Sequence, residues 1–314
     1  MRDENSIEAR ILIPWSMQEE ASLFLMDLTG RDVIVEDGGR PEEGTTIRAL
    51  FESGFPGYDR MRELEDYLRR LGDYGMQPLG LELRPVNARR WIDERRDRAV
   101  ARHVGTLWTL CPPWKDHEPR PGGLLIVLEG SGAFGSGRHP STVLSLTALE
   151  QAWRKGMLPA YQAGWRALDV GTGTGILAVA AARLGAEVLA FDIDDRAAAA
   201  AEKNVRLNNV QDRVKVEETP LRFARGRFRL VLANVALPEQ MELAAIMDRL
   251  VIPGSIVIVS GFLDVDAEMM EERYRLQGLR CEARLSHGDW VSLILQFPNT
   301  GRHPQRGADD RNVS

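Results

Sequence analysis

Residues 169–175 read Asp-Val-Gly-Thr-Gly-Thr-Gly. Ala167-Leu168 leads into them, and Ile176-Leu177-Ala178-Val179-Ala180-Ala181-Ala182 follows, a strongly helix-forming run. A short apolar strand that breaks into Gly171, Gly173 and Gly175 and restarts as a helix predicts a strand–turn–helix unit. Glycine permits the tight turn and lets a ligand approach bare backbone. In a sheet wound with helices on both faces, ligands sit at the carboxyl ends of the strands, and this turn falls there.

The spacing narrows the ligand. A dinucleotide fingerprint places its third glycine three positions after the second. That position is Ile176, and the third glycine comes early, at Gly175, so a pyrophosphate cradle fits poorly. Asp192 closes the next apolar run, residues 187–191, at about the distance expected of a ribose partner. Its carboxylate can accept hydrogen bonds from ribose hydroxyls. Asp194 and Asp195 follow, and at least one is expected to cap the helix that starts at Arg196. The stretch reads as a turn for an adenosine-bearing cofactor; the competing reading is a packing turn with no ligand.

Working outward, residues 166–297 alternate strand and helix. Strands are expected at 167–170, 187–191, 214–217, 230–232 and 255–260, and helices at 175–184, 196–207, 238–250 and 265–277. Two further strands, 281–286 and 290–297, close the region. Continuous apolar strands between amphipathic helices predict an α/β fold, a Rossmann-like doubly wound domain over 139–298. Residues 1–90 read β-α-β-β-α-β, a small α+β domain of ferredoxin-like order. Ser16 with Glu19 is a candidate capping box for its first helix, and Gly30 a candidate stop. Residues 91–138 form a connector of charged helix and short strands at 107–111 and 124–128. Residues 299–314 are polar and expected to be disordered.

Composition removes several function classes. Apolar residues make up 44% and charged residues 27% of the 314, ordinary for a globular chain. A net charge of −6 gives no global basic field for nucleic acid. The arginines around 89–98 are interrupted by acidic residues and read as a solvated helix face. Two cysteines, Cys111 and Cys281, stand far apart with no Cys-x-x-Cys pair, so no metal site is expected and a reducing cytoplasm fits. No signal pattern or bilayer-length apolar run is present.

The glycine pattern, closed by Asp192, resembles the Rossmann-like S-adenosylmethionine methyltransferases. Two more segments sharpen the resemblance: Ala133-Phe134-Gly135-Ser136-Gly137-Arg138-His139-Pro140-Ser141-Thr142, and Ala233-Asn234-Val235-Ala236-Leu237. Both are similar to motifs of the methyltransferases of large-subunit ribosomal protein eleven. In that family the first reads like Ala-Phe-Gly-Thr-Gly-x-His-x-Thr-Thr, and the second Asn-Ile-Leu-Ala. Residues 91–116 resemble the family's connector, and its recognition domain is also small and α+β.

The resemblance implies S-adenosylmethionine as cofactor. It places cofactor contacts at Thr142, Gly171, Asp192 and Asn234, with Asn234 also the catalytic, amine-orienting group, and the glycine turn adds Gly173 and Gly175 to the expected cofactor-binding residues. It implies methylation of lysine and N-terminal amines of ribosomal protein eleven. The enzyme would be a monomer without direct nucleic-acid contact. Rival readings are methylation of another protein lysine or a small molecule, or a silent binding factor that keeps the fold. Ser136 and Ser141 stand where the family has threonine but keep the hydroxyl. Val-Ala-Leu replaces Ile-Leu-Ala after Asn234, and neither proline nor an aromatic follows that asparagine, which disfavours glutamine and nucleobase modifiers. His139 is either a local cap or part of the pocket wall. Phe134, Trp91, Trp108 and Trp114 read as packing residues.

Overall fold

The computed structural model describes residues 6–14, 17–29, 31, 33–37, 44–52, 55–73, 80–129, 135, 137–159 and 164–299. Ser16, Gly30, Phe134, Ser136, the side chain of Glu19 and the tail beyond 299 lie outside this set. The chain divides into two compact units, the first built mainly from residues up to 101 and the second mainly from residues after 134.

The first unit runs β1 (Ser6–Ile13), α1 (Gln18–Thr29), β2 (Ile34–Asp37), β3 (Thr45–Glu52), α2 (Phe55–Asp73), β4 (Gly80–Val86) and α3 (Ala88–Arg98). Its sheet is antiparallel in the order β2-β3-β1-β4. Alternation sends Ala9, Ile11 and Ile13 of β1 into one core with Leu25 and Leu64 of the two helices. The opposite face carries Glu8 and Arg48, and α3 packs there through Trp91, against Ile34 and Leu50. Pro85 is tolerated because β4 is an edge strand.

Part of the arginine-rich stretch does more than face solvent. Arg48 Nε donates to Glu8 Oε1 at 2.6 Å, and its other nitrogens reach Glu36 at 2.8 Å and Glu94 of α3 at 2.7 Å. Trp91 Nε1 donates to the same Glu8 oxygen at 2.8 Å, and Arg98 reaches Glu36 at 2.7 Å.

The second unit contains β5 (Arg102–Val104), β6 (Trp108–Cys111) and β7 (Leu124–Val127), a three-stranded sheet. It continues with α4 (Pro140–Arg154), β8 (Arg166–Val170), α5 (Ile176–Arg183), β9 (Glu187–Asp192), α6 (Asp195–Leu207) and β10 (Val214–Glu218). Then come β11 (Phe228–Asn234), α7 (Leu237–Ile246), β12 (Val251–Leu263), α8 (Asp264–Arg275), β13 (Arg280–His287) and β14 (Trp290–Gln296). The seven-stranded sheet has the order β10-β9-β8-β11-β12-β14-β13, parallel except at β14. Helices α4, α5 and α6 pack in series, and α7 packs on α8. Leu168, Val170, Val231, Ala233, Val257 and Val259 enter the core with residues of α7 and α8. Asp169, Leu232 and Asn234 alternate onto the other face.

Two elements differ in extent from what their sequence suggests, one shorter and one longer. The helix expected to reach residue 250 stops at Ile246, followed by a 3-10 turn at Met247–Arg249. Strand β12 begins at Val251 and passes through Pro253-Gly254, which read locally as a break. Gly254 takes φ +82°. The Ser255 hydroxyl accepts from Ile252 N–H at 2.8 Å and donates to Phe228 O at 2.6 Å, so a side chain bridges the irregular step.

The Arg48→Met variant removes the partner of a buried carboxylate. Its unfolding free energy in a urea titration is expected to fall by about 3–5 kcal/mol; a loss below about 1 kcal/mol would place the network with ordinary surface pairs.

Candidate active site

Strand β8 lies between β9 and β11, and the chain leaves it in opposite directions on its two sides. Such a reversal opens a crevice at the carboxyl ends of the strands. Val170 is level with Phe191 on one side and Ala233 on the other. The next residues, Gly171, Asp192 and Asn234, therefore meet at one rim. Gly171 has φ +64° and Gly175 φ +80°. A Cβ at Gly171 would strike Val235 Cγ1, and one at Gly175 would lie 3.0 Å from Ala201 Cα of α6. Both positions need glycine for conformation and for space.

Asp169 holds the turn from below. Its Oδ2 accepts from the Thr172 hydroxyl at 2.6 Å and from the Ala178 N–H, in the first turns of α5, at 3.0 Å. Its Oδ1 is buried and has no partner among the described residues. Burial, with a smaller contribution from the nearby Asp192 charge, pushes its pKa up to about 7 against the two hydrogen bonds that lower it.

Asp192 sits half-buried at the end of β9. Its Oδ2 accepts from Gly173 N–H at 2.8 Å and its Oδ1 from Asp194 N–H at 3.1 Å. Each oxygen keeps lone-pair capacity for further donors. Asp194 caps α6, its side chain accepting from Arg196 N–H at 2.9 Å. Thr174 is drawn in from both sides: its hydroxyl donates to Gly135 O at 2.7 Å, and its carbonyl accepts from Asn204 Nδ2 at 2.9 Å. The upstream glycine segment is thereby tied to the turn.

Asn234 ends β11 with 8% of its surface exposed. Its Nδ2 donates to Thr142 Oγ1 on α4 at 3.2 Å. Its Oδ1 is buried without a partner among the described residues. An amide oxygen in that condition forgoes a hydrogen bond unless a donor arrives from outside the fold. His139 is the N-cap of α4, with Nδ1 accepting from Ser141 N–H at 3.1 Å. That leaves the ring proton of the neutral form on Nε2, and the Ser141 hydroxyl, 2.5 Å away, donates to Nδ1 as well. The ring stands edge-on to Trp290, centroids 4.3 Å apart. Burial lowers its pKa to about 4, so it is a neutral cap rather than a charged group.

The structure thus brings Thr142, Gly171, Gly173, Gly175, Asp192 and Asn234 to one end of one sheet. Trp91 and Trp108 are buried with their indole N–H groups bonded to Glu8 and to Leu146 O. Trp114 lies under the guanidinium of Arg95 at 5.0 Å. Sequence reasoning named Asp169 only as part of the turn and missed its buried, weakly acidic character. Its placement between the apolar residues Leu168 and Val170 of a strand was the available signal. Gln240, Ser260 and Tyr274 gave no signal of their own.

A sheet of this order, with a glycine turn at its switch point and an acidic residue closing the neighbouring strand, defines the Rossmann-like methyltransferase class. The family described as Ribosomal protein L11 methyltransferase (PrmA) matches residues 16–298. A Ribosomal protein L11 methyltransferase of Geobacter sulfurreducens is 32% identical over 309 residues, covering 94% of this chain and 99% of the relative. One of Geotalea daltonii is 35% identical over 310 residues, covering 90% and 96%. Among solved structures, a ribosomal protein L11 methylase from Lactobacillus delbrueckii subsp. bulgaricus aligns with a TM-score of 0.56 at 28% identity, covering 63% of this chain and 98% of that one. The chain belongs to the ribosomal protein L11 methyltransferase family.

The raised pKa of Asp169 has a sign. Its ordinary value of 3.8 rises to about 7 on folding, so folding favours the protonated form. The associated stability is present below about pH 4 and is lost as pH rises toward 7, by up to about 4 kcal/mol. The difference in unfolding free energy between wild type and Asp169→Asn is expected to slope across this window. A difference that stays flat from pH 4 to 7 would show that Asp169 is ionised in the fold throughout.

Proposed function

We propose that this protein transfers methyl groups from S-adenosylmethionine to amines of ribosomal protein L11, on lysine side chains, the N-terminus or both. The observation that carries this reading is the buried, unpartnered Oδ1 of Asn234, level with the glycine turn. A buried acceptor with no partner among the described residues suits an incoming N–H.

The residues present fit the cofactor. Asp192 offers carboxylate oxygens to ribose hydroxyls, and Gly171, Gly173 and Gly175 offer bare backbone. Thr142 and Asn234 present oxygen atoms, which suit a positively charged sulfonium. When bound, the cofactor supplies an activated methyl group on that sulfonium. The protein's part is position and electrostatics. Asn234 Oδ1 accepts a hydrogen from the substrate amine and so turns its lone pair toward the methyl, while Thr142 holds the amide in that pose.

A lysine amine, with a free pKa of about 10.4, must shed its proton first. His139 is a poor base for this, because Nδ1 is committed to Ser141 and burial depresses its basicity. Desolvation and neighbouring positive charge lower the amine's own pKa, and water carries the proton away.

The first unit docks the protein substrate. Its β-α-β-β-α-β order supports the ferredoxin-like reading, and its edge strand exposes Leu81 and Leu83. The enzyme works as a monomer in the cytoplasm, without direct contact to nucleic acid. Among the described residues no helix is long and apolar enough to cross a membrane.

Incubation of purified ribosomal protein L11 with labelled cofactor, followed by intact mass, is expected to show additions of whole methyl groups. No mass increase, with cofactor binding intact by calorimetry, would overturn the substrate and keep the cofactor. Asn234→Ala should lower kcat by about 10²–10³-fold, the cost of one oriented polar contact in a transition state. Asp192→Ala should instead weaken cofactor affinity by about tenfold or more, through lost ribose hydrogen bonds. The rate should rise with pH through the amine's ionisation and then level off; a descending limb would point to a protein acid.

A further inference from the structure

Asn234 stands where β11 runs out of ladder, and the peptide that carries it is gripped from the face opposite its side chain. Gln240 of α7 is fully buried. Its Nε2 donates to Ala233 O at 3.1 Å and lies 3.5 Å from Val235 O. These are the two carbonyls that flank Asn234. The same nitrogen donates at 2.7 Å to Ser260 O, and Ser260 is the residue of β12 in register with Asn234.

The grip has a fixed polarity. Gln240 Oε1 accepts from the Tyr274 hydroxyl of α8 at 2.9 Å. Tyr274 is itself fully buried, and its hydroxyl keeps its proton because burial raises its pKa. A flipped amide would turn an oxygen toward three carbonyl oxygens, so only one orientation is compatible with the neighbours. Ser260 carries the linkage onward: its hydroxyl lies 3.0 Å from Val291 O and 3.3 Å from Ser141 O, next to Thr142 on α4. The Asn234 side chain is thus held by Thr142 on one face of the sheet, and its backbone by Gln240 on the other.

We infer that Gln240, oriented by Tyr274, is a positioning residue for methyl transfer, fixing the peptide of Asn234 so that its Oδ1 is aimed at the substrate amine. The inference rests on the role given to Asn234 above. Gln240 is fully buried, and its partners are carbonyls of the strand ends and Tyr274, so it acts through the strand end. A small rotation of that peptide would swing the amide oxygen away from the amine, and misplacement by about 1 Å can cost about a hundredfold in rate.

The test is a double-mutant cycle. Gln240→Met and Tyr274→Phe are each made in the native and Asn234→Ala backgrounds. kcat and KM for ribosomal protein L11, the dissociation constant for S-adenosylmethionine and Tm are then measured. Gln240→Met is expected to lower kcat about 10- to 100-fold with KM and cofactor affinity changed about twofold or less. In the Asn234→Ala background the same substitution should cost almost nothing further in kcat, while its Tm loss persists. Tyr274→Phe should follow the same pattern with a smaller loss, and it carries the cycle alone if Gln240→Met does not fold. An equal fold-loss in both backgrounds, or an unchanged kcat in the folded variants, would overturn the inference and leave the role of Asn234 standing. An Asn234→Ala variant with native kcat would instead remove the role of Asn234, and this inference with it.

Discussion

One carboxyl oxygen organises the second unit. Asp169 Oδ2 receives a hydroxyl from the glycine turn and an N–H from α5, so strand, turn and helix share a single acceptor. With those three fixed, Gly173 N–H is placed for Asp192, and the Thr174 hydroxyl is placed for the segment that leads into α4. That segment reaches Thr142, which meets Asn234. The rim of the crevice that the strand order opens is therefore tied together through one satisfied oxygen of a buried acid.

The sequence showed the parts of this arrangement whose chemistry has a spacing. Gly171, Gly173 and Gly175 announce themselves because no other residue suits their backbone, and Asp192 because it ends an apolar strand. Thr142 and Asn234 came from motif resemblance, since nothing in their local chemistry distinguishes a threonine in a helix or an asparagine after a strand. Gln240 stayed hidden for a different reason. In Leu-Pro-Glu-Gln-Met-Glu it reads as one more polar residue of a surface helix, and only the tertiary fold turns it inward. Tyr274 likewise reads as an apolar position of an amphipathic helix, its hydroxyl invisible to periodicity. Strand β12 was foreshortened because Pro253-Gly254 reads as a break; the hydrogen bond from Ser255 to Phe228 O that helps carry the strand through is tertiary.

The two faces of the seven-stranded sheet divide the labour. The face under α4 and α5 carries polar side chains that reach the crevice: Asp169, Asn234 and, from the helix, Thr142. The face under α7 and α8 is an apolar core interrupted by the Gln240–Tyr274 pair. A buried polar pair in such surroundings is costly unless every group is matched, and here the glutamine nitrogen finds three carbonyls while its oxygen finds a hydroxyl.

Strand β14 lies between β12 and β13 although it follows both in the chain. Its fully buried Val291, Leu293 and Leu295 are core residues, and Val291 O partners the Ser260 hydroxyl. During synthesis β12 therefore emerges with one edge unpaired and waits for a strand made later. Until then the carboxyl end of β12 lacks its outer support, and the Ser260 hydroxyl lacks the carbonyl of Val291. A chain that stops short of β14 carries the glycine turn, Asp192 and Asn234 without the strand that covers the outer edge of β12.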